Sequence, residues 1–84
     1  MKLINIKDNS SEEVLSKLKH YAEQEIILFK ASEEQDYIFW IIENSNLKEI
    51  SLNELSKLMK ISTDQIKLST AAMIMYDMNE FSID

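Results

Sequence analysis

The chain lacks three residue types altogether, because its 84 residues include no glycine, no proline and no cysteine. Without glycine, a tight hairpin turn or a phosphate-binding loop has no residue that adopts positive φ at little cost. Without proline, nothing interrupts a helix from within. Without cysteine, neither a disulfide nor a thiolate metal site can form, which is compatible with a reducing compartment. This composition favours helices joined by short polar links.

Arginine is absent as well, so the nine basic residues are all lysines, and fifteen acidic residues bring the net charge to −6. An acidic chain repels the phosphates of nucleic acid and is not attracted to anionic membranes. The planar guanidinium of arginine binds phosphate and reads guanine, so its absence is a second argument against DNA. Residues 47–75 are the least acidic part, with four lysines and three acids.

Long apolar segments are missing too. The longest uninterrupted apolar run, residues 37–42 (YIFWII), is far shorter than the about 20 residues that cross a bilayer. Residues 1–10 lack the apolar core of a signal peptide. We therefore expect a single domain over residues 1–84 that is soluble, cytoplasmic and not bound to membranes.

Residues suited to catalysis or metal binding form no recognisable pattern. His20 is the single imidazole, and it has no second ligand at metal spacing, so a solvated surface position is expected. No nucleophile–base pair, glycine-rich loop or paired-carboxylate site can be identified. We expect no enzymatic activity, no cofactor, no metal and no small-molecule ligand.

A serine is followed three residues later by Glu or Gln at four places, each ahead of an apolar-periodic segment: Ser10/Glu13, Ser32/Gln35, Ser51/Glu54 and Ser62/Gln65. Each pair can form a capping box, in which the serine hydroxyl accepts from a free backbone N–H at the helix start. The four pairs predict helices that begin at Ser11, at Glu33 (to about Glu43), at Leu52 (to Lys60) and at Thr63 (to Met78 or Asn79). We therefore expect a mainly α, four-helix domain.

The end of the first helix is open to two interpretations. Leu15, Leu18, Ala22, Ile26 and Phe29 keep helical spacing. Residues 26–29 (IILF) are also rich in β-branched side chains, which favours a short strand, beside residues 3–6 (LINI). Periodicity slightly favours the helix, and the N-terminal pair of strands is the alternative.

Residues 51–74 (SLNELSKLMKISTDQIKLSTAAMI) carry the pattern of two short helices joined by a tight turn. Its apolar, small and capping positions are Leu52, Leu55, Ser56, Met59, Ile61, Ser62 and Ile66. This pattern resembles the helix-turn-helix family, and residues 33–78 together resemble a winged-helix or three-helix variant with its core at 51–78. Lys60 stands where the family usually has glycine, so positive φ is expected there at some cost. Ser69 stands where the family buries an apolar side chain.

In that family the start of the second helix faces the major groove. By this resemblance Thr63, Asp64 and Lys67 would lie near bases, and Lys57, Lys60 and Lys67 would contact phosphates. About three phosphate contacts per monomer give weak binding at physiological salt unless a dimer doubles them. A dimeric DNA-binding transcriptional regulator is therefore the alternative function and not the leading one.

The fourth helix carries more apolar residues than one face can bury. Ile66 and Met73 can pack inward, while a second stripe of apolar side chains remains, with a lysine at its edge. An exposed apolar stripe marks an interface, and methionine suits adaptable contacts; the bland interpretation is that the N-terminal helix covers the stripe. We predict a small acidic regulatory or adaptor protein that binds a protein partner or a second copy of itself. The predicted contact residues are Lys67, Leu68, Ala71, Met75 and Met78.

An acidic cluster suggests a third function. Glu33, Glu34 and Asp36 would lie in the first turn of the second helix, where they complement the helix dipole. An acidic surface of this kind could also imitate phosphates and inhibit a nucleic-acid-binding protein, as small inhibitors of mobile elements do. The net charge supports this alternative, and the positions of the acids do not.

Overall fold

A computed structural model describes residues 1–33 and 36–83 of the protein, and in this part of the chain five strands form one mixed sheet that lies between helices. The elements are β1 (Lys2–Asn5), α1 (Ser11–Lys17), a 3-10 turn (Glu23–Glu25), β2 (Ile26–Ala31), β3 (Tyr37–Glu43), β4 (Asn46–Ile50), α2 (Leu52–Met59), α3 (Thr63–Met75) and β5 (Glu80–Ser82). The protein is therefore a small α/β domain, and the expectation of a mainly α, four-helix fold is wrong.

The strands lie in the order β4, β3, β2, β1, β5. β1 and β2 are parallel, because α1 lies in the connection between them, and the other neighbouring strands are antiparallel. The two ends of the chain thus meet in one sheet, with β5 beside β1.

Residues 37–43 of the predicted second helix form a strand. Phe39 and Ile41 of β3 belong to the core on one side of the sheet, and Ile42 belongs to the core on the other side, with Trp40 packed against it. A strand that is buried on both faces is apolar at every position, so its sequence looks like that of a helix buried all round. The Ser32/Gln35 capping box cannot be assessed, because Gln35 lies outside the described residues.

The first helix ends early, and the strand alternative is correct. α1 stops at Lys17, and β2 pairs with β1 in the register Leu3↔Ile27 and Ile4↔Leu28. Ile26, Ile27, Leu28 and Phe29 are all fully buried. Their helical spacing with Leu15 and Leu18 was therefore a coincidence of a run that is apolar throughout.

Two cores lie on opposite faces of the sheet. On one face the sheet packs against α2 and α3 through Leu55, Ile66 and Met73; on the other it packs against α1 through Val14 and Leu18. α1 is thus separated from α3 by the sheet. It cannot cover the outer side of α3.

Helix starts follow the predicted caps wherever both residues are described. The serine hydroxyl accepts from the backbone N–H three residues on at Ser10 (3.3 Å), Ser51 (3.2 Å) and Ser62 (3.1 Å). At Ser10 and Ser51 the hydroxyl also donates to the glutamate of the same pair. These local hydrogen bonds explain why α2 and α3 begin at the predicted residues.

Turns in this glycine-free chain use other residues at positive φ. Asn44 (φ 52°) and Ser45 (φ 66°) form the two-residue loop between β3 and β4, where a type I′ turn needs positive φ at both positions. Lys60 adopts φ 58° at the end of α2, as expected where glycine is usual. Tight turns therefore form without glycine, at a cost in stability.

The helices are short. α3 spans 13 residues, and among the described residues no helix combines the length and apolarity required to span a bilayer.

Replacing Ser45 with glycine should raise the free energy of unfolding by about 0.5–1 kcal/mol, because the left-handed conformation costs a non-glycine residue more than glycine loses in chain entropy. The backbone N–H of Ser45 donates to Glu23 and is unaffected. Urea unfolding measures the change. Ser16→Gly, in the exposed part of α1, is the control and should destabilise by about 0.5–1 kcal/mol; equal effects of both changes would contradict the explanation.

Candidate protein-binding face

α3 is apolar on two opposite sides. Ile66, Thr70 and Met73 face the sheet and are buried, with the i, i+4, i+7 spacing of a single helix face. On the opposite side, Leu68 is 72% exposed and Met75 is 75% exposed. The helix therefore contributes one side to the core and presents a second apolar side to solvent.

We use the name α3 face for the exposed residues Leu68, Ala71, Ala72 and Met75, with Lys67 at the edge. Four of the five predicted contact residues belong to it. Met78 does not, because it follows the end of α3 and is half-buried against the core. The N-terminal helix leaves the α3 face uncovered.

The buried polar residue of α3 was not anticipated. Ser69 is half-buried, while Thr70 is fully buried. The Thr70 hydroxyl donates to the carbonyl oxygens of Ile66 (3.0 Å) and Lys67 (2.9 Å). Since its hydroxyl is satisfied within the helix, Thr70 serves as a core residue and has no polar group free for a ligand.

A groove adjoins the α3 face. It has a volume of about 560 Å³ and lies between α3, the start of α2 and the start of β3. Its lining residues are Asp36, Tyr37, Phe39, Leu52, Lys67, Leu68 and Ala71. The groove continues the exposed apolar surface and adds aromatic rings to it, which is typical of a protein-binding site.

A second cavity, of about 460 Å³, lies near the other end of α2 beside Leu58 and the loop between β3 and β4. Its two carboxylates are engaged in holding that loop. Glu23 accepts from the N–H of Ser45 at 2.9 Å, and Glu43 lies 3.7 Å from the ammonium of Lys48. Both carboxylates of this cavity therefore already have a partner within the chain.

The residues of the DNA-binding alternative are exposed except for one. Lys57, Lys60, Asp64 and Lys67 are exposed, and Thr63 is half-buried. The three lysines make no ion pair with any described residue. The helix pair that carries them keeps its tight turn, in which the Ser56 hydroxyl donates to the carbonyl of Ile61, but it packs on a sheet and not on a third helix.

Acidic and metal-binding candidates remain dispersed. Glu33 and Asp36 are exposed between β2 and β3, and Glu34 lies outside the described residues. Within residues 1–33 and 36–83, no three acidic or histidine side chains converge on a common point. His20 is exposed, and its ring lies 4.3 Å from that of Tyr21. The acidic-inhibitor alternative stays a prediction.

One cluster escaped the sequence reasoning because its members are far apart in the chain. The Tyr21 hydroxyl donates to the Glu80 carboxylate at 2.7 Å, and the Lys2 ammonium lies 3.6 Å from the same oxygen. The hydrogen bond from Tyr21 holds the pKa of the Glu80 carboxyl below its ordinary value of 4.5, and it raises the pKa of Tyr21 above 10.0. The cluster fastens β5 to the segment after α1.

No protein-family model, curated protein or solved structure matches this chain. The resemblance to helix-turn-helix proteins therefore gains no support from relatives.

Replacing Tyr21 with phenylalanine should raise the pKa of Glu80 toward 4.5, because the hydrogen bond that favours the carboxylate is lost. Because the pKa of Glu80 is lower in the folded state than in the unfolded state, its carboxylate stabilises the fold at pH values above the unfolded-state pKa. This contribution disappears as the pH falls through the folded-state pKa. The native protein should therefore unfold at higher temperature than Tyr21→Phe at neutral pH, and the two should converge in acid.

Carbon-13 NMR titration of the Glu80 carboxyl and thermal unfolding measure these two effects. Tyr76→Phe is the matched control, since Tyr76 is exposed and its hydroxyl makes no hydrogen bond to a described residue. An unchanged Glu80 pKa in Tyr21→Phe would show that another group lowers it.

Proposed function

We propose that this protein is a small regulatory or adaptor module that binds a protein on the α3 face. The observation that carries the proposal is the contrast between the two sides of α3: Ile66 and Met73 are buried against the sheet, while Leu68 and Met75 are about three-quarters exposed. Contiguous exposed apolar side chains with a charged edge usually mark an interface.

The energetics agree with this role. Burying a leucine or methionine side chain removes apolar surface from water and contributes about 1.5–3 kcal/mol. The fold does not gain this contribution at Leu68 or Met75, because both remain in solvent. A partner that covers them gains it, and the groove beside Tyr37 and Leu52 can receive one of its side chains.

The charge distribution favours a protein over nucleic acid. The α3 face is apolar, and its single charged member is Lys67; the exposed Asp64 one turn earlier offsets that lysine. A phosphate backbone would meet little positive charge here and an acidic chain behind it.

A photo-crosslinking amino acid placed at position 68 or 75 should form an adduct with a protein in native extract, and Met75→Asp combined with the position-68 probe should abolish it. The reason is that a carboxylate in the interface must be desolvated on binding. The fold should be unchanged, with an unfolding free energy within about 1 kcal/mol of the native protein, since the side chain lies in solvent and the new carboxylate opposes only the helix dipole.

Leu58 provides the matched control. It is 55% exposed on α2, outside the α3 face, so a probe at position 58 should give no adduct and Leu58→Asp should leave the adduct at position 68 intact. A parallel sample treated with nuclease identifies contacts bridged by DNA. Equal adducts at positions 58 and 68, or loss of the adduct with nuclease, would contradict the proposal.

A further inference from the structure

We infer that the occupant of the α3 face is a second copy of this chain, whose α3 lies antiparallel to the first across a twofold axis near Ala71 and Ala72. This inference rests on the proposed function and specifies its partner. Spacing, side-chain size and charge along α3 support it independently.

The spacing of the outer stripe is that of a helix-pairing seam. Asp64, Leu68, Ala71 and Met75 follow one another at intervals of four, three and four residues, which keeps side chains on one side of a helix that packs against another at a shallow angle. A stripe of this kind that is exposed in one molecule can be buried against the same stripe of a second molecule, because a twofold interface brings identical surfaces of the two copies together.

Side-chain size places the axis. Ala71 and Ala72 are small and lie between the two large exposed residues of the stripe, Leu68 and Met75. In an antiparallel pair centred on the alanines, Leu68 of each copy lies opposite Met75 of the other. The backbones can then approach closely at the centre while the large side chains pack at both ends.

Charge selects the antiparallel direction. A parallel pair would put Asp64 beside Asp64 and Lys67 beside Lys67, both of which are repulsive. In the antiparallel pair, Lys67 approaches the C-terminal end of the other α3, which carries the partial negative charge of the helix dipole.

A single helix face is smaller than a standard stable interface, so the dimer should be weak and its dissociation constant micromolar or higher. Sedimentation equilibrium between about 1 μM and 1 mM, where such a dimer changes its degree of association, should show a shift from monomer to dimer. Leu68→Asp should weaken association at least about tenfold, and Leu58→Asp should not.

The absence of cysteine allows the orientation to be measured directly. Leu68→Cys and Met75→Cys proteins, one of them carrying a tag, are oxidised separately and as a mixture. The mixed disulfide should form faster than either disulfide between identical chains, because an antiparallel pair brings positions 68 and 75 within disulfide reach. Preferential pairing of identical positions, or equal rates for all three, would overturn the antiparallel arrangement.

The two proposals fail in different ways. A native protein that stays monomeric throughout the concentration range, while the position-68 probe captures a different protein, overturns the second copy as the occupant and leaves the proposed function standing. A monomeric protein whose probe captures nothing overturns both.

Discussion

The fold depends on the burial of the central strands on both of their faces. Residues 26–29 of β2 are fully buried, and neighbouring side chains point to opposite sides of the sheet. Each face must therefore be covered by other elements. α1 covers one face and the α2–α3 pair covers the other. Among the described residues nothing covers the outer side of α3, so its apolar side chains remain exposed.

The sequence predicted features that local chemistry determines, such as the starts of α2 and α3 and the left-handed Lys60. Each rests on contacts within about one helical turn, which short-range rules describe well. The second apolar side of α3 was also predicted, because the number of apolar residues exceeded what one face can bury. The predicted end of the fourth helix at Met78 or Asn79 was too late, since α3 ends at Met75 and Met78 lies beyond it.

β3, β4 and β5 were not predicted, and β1 and β2 were predicted only as an alternative, because the stability of strands comes from distant partners. Residues 37–43 alternate between two cores, yet both cores are apolar, so the alternation leaves no trace in the pattern of hydrophobicity. Pairs such as Leu3↔Ile27 and Leu3↔Phe81 join residues far apart in the chain. The absence of glycine also suggested that tight hairpins are disfavoured, whereas Asn44 and Ser45 form one at positive φ.

The position of β5 beside β1 has a consequence for the order in which the fold assembles. Short loops join β2 to β3 and β3 to β4. In contrast, β1 pairs with β5 from the opposite end of the chain, and the N–H of Ile83 donates to the carbonyl of Met1 at 2.8 Å. Loop closure over such a separation is slow and entropically costly. We therefore expect the antiparallel hairpins to form first, and the pairing of β1 with β5 to be the last to close and the first to open.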